Sequence, residues 1–424
     1  SYTVNDATEP VNIQSPIGKF NLFDQSAGDN TYDISYQINP EYLPYYTSAT
    51  SAYSNMSIPL GSGTQTIKFP ITIVQTFADV SVSVIPYQAP RAGDIGKLKV
   101  QLKNNGNGTA TGTLLFQKPS IATINNVSPS VQLNTTGFSV NYADLLPNEI
   151  RTYLVTYSIP PIPQVNIDDV LTSSAQVSNS NDAFINDNIA SLEQIVVAAY
   201  DPNDKQEKHG GSIEFASFSE NDYLEYTIRF QNTGTANAIN VRIEDILGPQ
   251  YNLESLRMIS ASHTYYMQRI GNQVKWFFDF IQLPGAVQSP AESIGYLTFK
   301  IKLNPGFTIN DVITNTAAIY FDTNPPIITN THTTVFFENL SVDQLLNDQL
   351  KIYPNPAKTQ VFFNLPSETI ESIEIYDLTG KCVVKKSVND RQFELNTANL
   401  SRGFYLVKVR TTSGIELSKK LAIN

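Results

Sequence analysis

Three strand-like blocks occur twice in this chain, in the same order, and this repetition restricts its possible folds more than any other feature. The first block of each set alternates apolar and polar residues and runs into an Asn-x-Gly turn. An alternation with a period of two is typical of a β-strand, and the turn favours a reversal of the chain. The matching pairs are 98–106 with 226–234, 151–157 with 295–301, and 169–175 with 311–317. We therefore predict two copies of one β-sandwich module, at 79–198 and 199–338.

The composition indicates an all-β protein with several domains. A chain of 424 residues is long enough for roughly three or four domains. Residues 342–350 are the only short stretch with helical spacing, and no apolar run is long enough to span a membrane. The single cysteine, Cys382, cannot form a disulfide within the chain, so stability must come from hydrophobic sandwich cores. We predict tandem Ig-like β-sandwiches followed by a small C-terminal β-sandwich.

The charge is unevenly distributed along the chain. Residues 350–424 contain 11 Lys+Arg and 7 Asp+Glu, for a net charge of +4. Of the totals of 28 basic and 39 acidic residues, 17 and 32 remain for the rest of the chain, for a net charge of −15. Nucleic-acid binding depends on basic patches, so an acidic body argues against a nucleic-acid partner.

Residues with catalytic chemistry are sparse. The three histidines, His209, His263 and His332, are far apart and form no metal-binding or nucleophile-activating motif. Cys382 is expected to be a small buried residue in a strand. Nucleotide-binding and hydrolase motifs are absent from the sequence. We therefore expect no enzymatic activity in this chain.

One short motif has the composition of a calcium site. Asp201, Asn203 and Asp204 place three oxygen-bearing side chains within four residues, and Ca²⁺ prefers six to eight oxygen ligands. Asp322 and Asn324 can add ligands if the fold brings them near. The alternative is that these side chains only cap backbone N–H groups in tight turns. Calcium is the only cofactor that the sequence suggests.

The last 75 residues have the pattern of a small antiparallel sandwich of roughly seven strands. Two prolines in 353–356 predict a stiff, extended entry to this unit. Strand patterns follow at 373–384 and 404–409, and the last strand ends after Lys419 and Lys420. Because neighbouring side chains of a strand point to opposite faces, at least one of these two lysines must face away from the core.

Four separated motifs in this unit, at 352–356, 373–381, 400–409 and 419–424, resemble the type A C-terminal sorting domain of the Bacteroidota type 9 secretion system. The resemblance implies export across the outer membrane to the cell surface or the medium. It also implies three partners: an outer-membrane barrel shuttle, a translocon and a surface sortase. The residues of the motifs that we expect to be recognised are Tyr353, Pro354, Asn355, Pro356, Gly403, Tyr405, Lys419 and Lys420.

The second copy, 199–338, resembles an Ig-like domain that often precedes such sorting domains, through its motifs at 200–205, 230–236 and 319–327. The first copy, 79–198, is similar to more divergent surface domains of the same class. Residues 1–78 are predicted to form a shorter third sandwich, and 339–349 a linker to the sorting domain at 350–424.

Two other functions stay open from the sequence. The Ig-like units are candidates for adhesion or ligand binding, with Tyr42, Tyr45 and Tyr46 as an exposed contact patch. Alternatively, the chain is an accessory region of a secreted hydrolase. We also expect a signal peptide, and other domains, upstream of Ser1. In every case the chain is a secreted or surface protein without an integral membrane segment.

Overall fold

The computed structural model describes residues 1–16, 18–22, 28–179, 181–198, 201–338, 349–377 and 379–423. The chain forms two compact units, Ser1–Phe337 and Glu338–Asn424. Among the described residues, strands dominate both units, and three short 3-10 helices lie at Pro40–Tyr42, Ile185–Asp187 and Phe215–Ser217. The predicted all-β class is confirmed. The helical candidate 342–350 and the linker 339–349 fall almost entirely outside the described residues. Within the described residues, no helix is both long and apolar enough to cross a membrane.

The N-terminal segment forms small sheets with little core of its own. Its strands are β1 (Tyr2–Val4), β2 (Asn12–Gln14), β3 (Asn30–Ser35), β4 (Tyr46–Ser48), β5 (Ala52–Ile58) and β6 (Ile71–Ile73). Sheets form in the orders β1-β3-β5 and β4-β6, whereas β2 joins a sheet of the second repeat. Tyr32 and Ile34 are its main buried apolar residues before Phe77. This segment therefore depends on its neighbours for burial, and its boundary at residue 78 stays a prediction.

The first repeat consists of two four-stranded antiparallel sheets. Its strands are β7 (Val80–Gln88), β8 (Ile95–Asn104), β9 (Ala110–Gln117), β10 (Thr123–Ser128), β11 (Gly137–Leu145), β12 (Ile150–Ser158), β13 (Val170–Asn179) and β14 (Ile189–Ile195). The sheet orders are β10-β12-β8-β7 and β11-β9-β13-β14. Alternate residues of each strand enter one shared core, as the period-two pattern predicts.

The second repeat is larger, and Trp276, the only tryptophan of the sequence, is fully buried in its core. Its strands are β15 (Lys205–Glu207), β16 (Ser212–Glu214), β17 (Leu224–Gln231), β18 (Val241–Ile246), β19 (Tyr251–Ala261), β20 (Tyr266–Ile270), β21 (Gln273–Phe278), β22 (Ile294–Leu303), β23 (Val312–Asn315), β24 (Ala317–Phe321), β25 (Ile327–Ile328) and β26 (His332–Phe337). The sheet orders are β15-β17-β22-β19, β2-β20-β21-β18-β24-β25 and β16-β26-β23.

The repeated blocks occupy equivalent strands. In the first repeat β8 lies between β7 and β12, and in the second β17 lies between β15 and β22. The Asn of each Asn-x-Gly turn is buried and makes the same three hydrogen bonds. Asn104 donates to the carbonyls of Gly108 and Leu145 and accepts from the Gly106 N–H at 2.7–2.9 Å. Asn232 makes the corresponding bonds with 236, 283 and 234 at 2.8–3.0 Å.

The C-terminal unit has seven strands among its described residues, the number expected from its sequence. They are β27 (Lys351–Tyr353), β28 (Gln360–Asn364), β29 (Ile370–Tyr376), β30 (Cys382–Asp390), β31 (Gln392–Asn396), β32 (Gly403–Thr411) and β33 (Glu416–Ile423). Two antiparallel sheets, β27-β28-β31 and β30-β29-β32-β33, enclose one hydrophobic core. The C-terminal strand β33 therefore lies at a sheet edge.

Candidate functional site

Three of the motifs in the C-terminal unit meet along β33. The side chain of Asn355 lies beside this strand, where its Nδ2 donates to the Lys420 carbonyl at 2.8 Å and its Oδ1 accepts from the Ala422 N–H at 2.9 Å. The Ala357 N–H donates to the Ala422 carbonyl at 2.8 Å. An edge strand presents unpaired backbone groups, and Asn355 satisfies two of them here. The entry motif thus covers part of the sheet edge that β33 exposes.

The entry motif itself differs from the prediction. Only Tyr353 continues a strand, and its ring stacks on Phe362 with 5.7 Å between centroids. Residues 354–356 form a bend, and both proline peptide bonds, at Pro354 and Pro356, are cis. The expected extended conformation was therefore wrong for these residues. The bend places the Asn355 amide against β33. This contact cannot be predicted from the local geometry of the two prolines.

The Gly403–Tyr405 motif begins β32, the hydrogen-bonded neighbour of β33. Gly403 has a φ of +153°, a conformation that disfavours other residues. Tyr405 pairs with Leu421 and is buried, and its hydroxyl donates to the Ser401 carbonyl at 2.7 Å. Gly403 pairs with Ile423 and Tyr405 with Leu421, so this motif lies beside the C-terminal end of β33.

The two lysines of β33 face different sides of the sheet. Lys419 pairs with the buried Val407 and is half-buried, whereas Lys420 pairs with Leu406 and is exposed. The Lys420 ammonium lies 3.8 Å from the centroid of the Phe404 ring. This arrangement agrees with the expectation that one ammonium must face outward.

An apolar patch that the sequence prediction did not include surrounds Lys420. Phe404 is 50% exposed and Leu406 is 45% exposed, and both lie on the outer face of β32. Leu406 is flanked across the sheet by Tyr376 and Lys420. Large exposed apolar side chains next to a charge are typical of protein contact surfaces. The alternation of β32, with Tyr405, Val407 and Val409 buried, contains this signal, because the intervening residues must then face solvent.

The three residues of the suggested calcium motif each have a structural partner. Asp201 Oδ1 accepts from the Asn203 N–H at 2.8 Å, and Asn203 Oδ1 accepts from the Gln231 N–H at 3.0 Å. Asp204 forms a two-bond ion pair with the buried guanidinium of Arg229. Nowhere in the described ranges do three or more acidic, His or Cys side chains form a group able to hold a metal ion. The calcium site stays a prediction. Of these contacts, only that of Asp201 with the Asn203 N–H matches the turn-capping alternative, because Asn203 and Asp204 bind distant residues.

The tyrosines proposed as an exposed adhesion patch are half-buried. Tyr45 stacks on Phe77 with 4.1 Å between centroids, and Tyr42 and Tyr46 pack edge-on or tilted against the same ring. Phe184 completes this aromatic cluster. The expectation of exposed rings was wrong, because the short N-terminal segment buries its aromatic residues against the first repeat. A cleft of about 370 Å³ lies beside them, between Tyr36, Tyr42, Tyr46 and Lys103.

Cys382 also differs from its expected position. It lies in strand β30, as predicted, but its side chain is exposed. It pairs across the sheet with Tyr376 on the outer face rather than entering the core. A register shift in β29 and β30 next to this pair changes which residues face inward.

Comparison with known families identifies two parts of the chain. Residues 351–424 match the family described as the secretion system C-terminal sorting domain. Residues 201–335 match a domain of unknown function, DUF7619. An endo-acting ulvan lyase from Formosa agariphila is 27% identical over 89 residues, which is 20% of this chain and 17% of the lyase. The chain therefore covers less than a fifth of that relative.

Solved structures with a similar arrangement of strands include two pilins. The major pilin subunit BcpA of Bacillus cereus has a TM-score of 0.24 and 10% identity, over 82% of this chain and 96% of the pilin. A C-terminal fragment of the pilin GBS80 of Streptococcus agalactiae has a TM-score of 0.23 and 12% identity, over 52% of this chain and 90% of the fragment. These scores are too low to support any conclusion about function.

Proposed function

Since this chain carries a type 9 sorting domain and is exported across the outer membrane, we propose that it is the C-terminal stalk and secretion-signal region of a larger cargo protein. In this proposal residues 350–424 direct export, and the Ig-like region before them spaces the cargo from the cell surface. The chain itself contributes no catalysis. The observation that carries the proposal is the sorting-domain match over 351–424.

The proposed partners are those of the secretion route. An outer-membrane barrel shuttle captures the sorting domain after the translocon, and a surface sortase then releases the cargo or joins it to the surface. The convergence of Asn355, Gly403 and Lys420 around β33 supports this proposal, because it places motifs 65 residues apart in sequence on one small surface. The exposed Phe404 and Leu406 beside Lys420 add an apolar contact area to that surface.

An export assay tests whether the C-terminal unit suffices. Residues 350–424 are fused to a fluorescent protein that is directed to the periplasm of a cell with a working type 9 system. We expect the reporter outside the cell, because this unit is compact and has its own hydrophobic core, so it should fold without the preceding modules. Fluorescence is measured in the medium and on intact cells after protease treatment.

The matched control is the same reporter carrying residues 79–198, a β-sandwich of comparable kind without the sorting motifs. That fusion should stay in the periplasm. If the 350–424 fusion is folded, stable and retained in the periplasm together with the control, the proposal is wrong.

Ligand binding by the N-terminal part of the chain is a second candidate function, and the cleft beside Tyr36 and Tyr46 favours it. Tyrosine-lined clefts suit carbohydrate or peptide ligands, because the rings supply apolar area and a hydroxyl. Ulvan, after which the lyase relative is named, is a suitable probe. Retarded migration of the chain in an ulvan-containing native gel, lost in Tyr36→Ala with Tyr46→Ala, would support this function. Unchanged migration of the wild-type chain would argue against it.

A further inference from the structure

Three polar side chains meet in the interior of the second repeat. Lys205 begins β15, Asp245 lies on β18, and Asn315 ends β23. Their exposed fractions are 0%, 1% and 4%. The Lys205 Nζ lies 2.5 Å from the Asp245 Oδ2. Burying a charged pair in a hydrophobic core usually costs more desolvation free energy than the attraction between the charges recovers. Stability therefore does not explain why this group is present.

The amide of Asn315 makes this group unusual. Neither its Nδ2 nor its Oδ1 has a hydrogen-bond partner in the described residues, and the second oxygen of Asp245 also lacks one. The amide is nevertheless adjacent to the Asp245 carboxyl and the Tyr251 hydroxyl, and it lowers the pKa of each, although burial is the larger influence and raises both. Buried amides without partners are rare in folded proteins because each lost hydrogen bond is costly.

The surroundings are apolar and aromatic. The Lys205 ammonium lies 5.0 Å from the centroid of the Tyr226 ring and 5.6 Å from that of Phe299. Burial lowers the pKa of Lys205, and the Asp245 charge only partly opposes this. Burial likewise raises the pKa of Asp245, with Lys205 opposing it. Both shifts favour a neutral amine beside a neutral carboxylic acid. A neutral lysine amine is a nucleophile, whereas an ammonium is not.

Two hydrogen bonds from one side chain hold the backbone of Lys205 at this position. The side chain of Asn330 accepts from the Lys205 N–H at 2.9 Å and donates to the Lys205 carbonyl at 3.0 Å. Asn330 lies just before β26, the strand that pairs with β23 and places His332 opposite Asn315. The amine and the amide are therefore positioned by the same segment of chain.

The first repeat shows that the fold does not require this group. Lys205 pairs with Ile228 as Val84 pairs with Val100, so Lys205 corresponds to Val84. Asp245 pairs with Ala317 as Phe116 pairs with Ala175, so Asp245 corresponds to Phe116. In the aligned third blocks, Asn315 corresponds to Ser173. One repeat thus folds with two apolar residues and a serine where the other has an amine, a carboxyl and an amide.

We propose that Lys205 and Asn315 form an intramolecular isopeptide bond, with Asp245 carrying the proton. The Lys205 Nζ attacks the Asn315 Cγ, and the new Nζ–Cγ bond replaces the Cγ–Nδ2 bond. One proton passes from Nζ through the Asp245 carboxyl to Nδ2, which leaves as ammonia. Asp245 returns to its initial state, and the reaction needs no oxidant, reductant or cofactor. The product is a covalent link between β15 at the start of the repeat and β23 near its end.

The mass of the full chain tests this proposal. The chain is expressed, purified and denatured, and its intact mass should be about 17 Da below the mass of its sequence, through loss of one ammonia. Digestion should yield a branched peptide that joins the segments around Lys205 and Asn315, identified by fragmentation. Asn315→Ser, which introduces the residue of the first repeat, and Asp245→Asn should both have the full sequence mass.

Asn324→Ser is the matched control, since it removes an exposed asparagine of the same repeat and should keep the deficit of about 17 Da. Ring closure at an asparagine to a succinimide also releases ammonia, so the branched peptide is the deciding observation. A wild-type chain of full mass, or a deficit without that peptide, would overturn the proposal whatever the variants do. If the wild-type chain contains the bond, Asn315→Ser, which cannot form it, should have a Tm about 10–20 °C lower for this repeat. The reason is that the bond closes a long loop in the unfolded chain.

Discussion

At the scale of single residues, two neighbouring lysines have different environments. Lys420 is exposed over the Phe404 ring, whereas Lys419 is half-buried on the opposite face of β33. The outward ammonium is available to an acidic partner, and the flanking Phe404 and Leu406 offer apolar contact. Edge lysines also protect sheets from aggregation, so only a functional assay separates the two roles.

We predict that Lys419→Ala with Lys420→Ala blocks export of the full cargo while the sorting domain stays folded. Lys419 is half-buried and Lys420 is exposed, so the loss of stability should be under about 1 kcal/mol. Secretion is measured in the native host and folding by thermal denaturation of the isolated domain. Lys358→Ala with Lys386→Ala removes two exposed lysines of the same unit that lie outside the sorting motifs and should leave export intact. Normal secretion of the folded first variant would leave the lysines with a protective role only.

At the scale of structural elements, the turn asparagines of the two repeats have equivalent structural roles. Each closes a loop by binding three backbone groups of different segments, and each is buried. A buried backbone group that loses its partner costs free energy, so these side chains hold the end of the sandwich together.

Replacement of either asparagine should therefore be strongly destabilising. For Asn104→Ala and for Asn232→Ala we expect a loss of about 2–4 kcal/mol in the free energy of unfolding of the affected repeat. Urea denaturation, followed by intrinsic fluorescence for the repeat that contains Trp276, measures the change. Thr233→Ala, an exposed substitution in the same turn, should change stability by less than about 0.5 kcal/mol. Similar midpoints for Asn232→Ala and Thr233→Ala would contradict this account.

At the scale of the whole N-terminal unit, buried carboxyls lie where its parts meet. Asp79 is 1% exposed, and burial, with the nearby Asp187 and Asp182 carboxylates, raises its pKa to about 7. Asn105 and then Lys103 oppose this shift in the pKa of Asp79. Burial also raises the pKa of Asp187 to about 6, partly opposed by Lys300 of the second repeat. The folded state thus binds protons more tightly than the unfolded chain at these sites.

This difference in proton binding between the folded and unfolded states predicts that the free energy of unfolding decreases as the pH rises. A carboxyl with a raised folded-state pKa contributes its stability fully below its unfolded pKa, near 4, and loses it as the pH rises through about 6–7. Asp79→Asn should remove much of this dependence and raise the Tm at pH 8 by several degrees, while changing it little at pH 4.5. The measurement is the difference in Tm between variant and wild type across this range. A constant difference at all pH values would contradict the assignment.

The sequence alone determined the class of the fold and the export signal, because both depend on local patterns. Period-two alternation and turn residues specify strands within a few positions, and the seven strands of the C-terminal unit follow from them. The Asn-x-Gly blocks also predicted which strands of the two repeats correspond. Each sorting motif is a short run of consecutive residues, so it can be recognised without a structure.

Only the tertiary structure decided which distant side chains meet. Asn355 lies against β33, Tyr42 is half-buried, Cys382 faces outward, and Lys205 lies beside Asp245. Each outcome depends on the register of strands that are far apart in the chain, and a shift of one residue reverses the face of every side chain. Asn315 gave no local signal in the sequence, because its importance arises from an amine 110 positions earlier that the packed sandwich places near the same carboxyl.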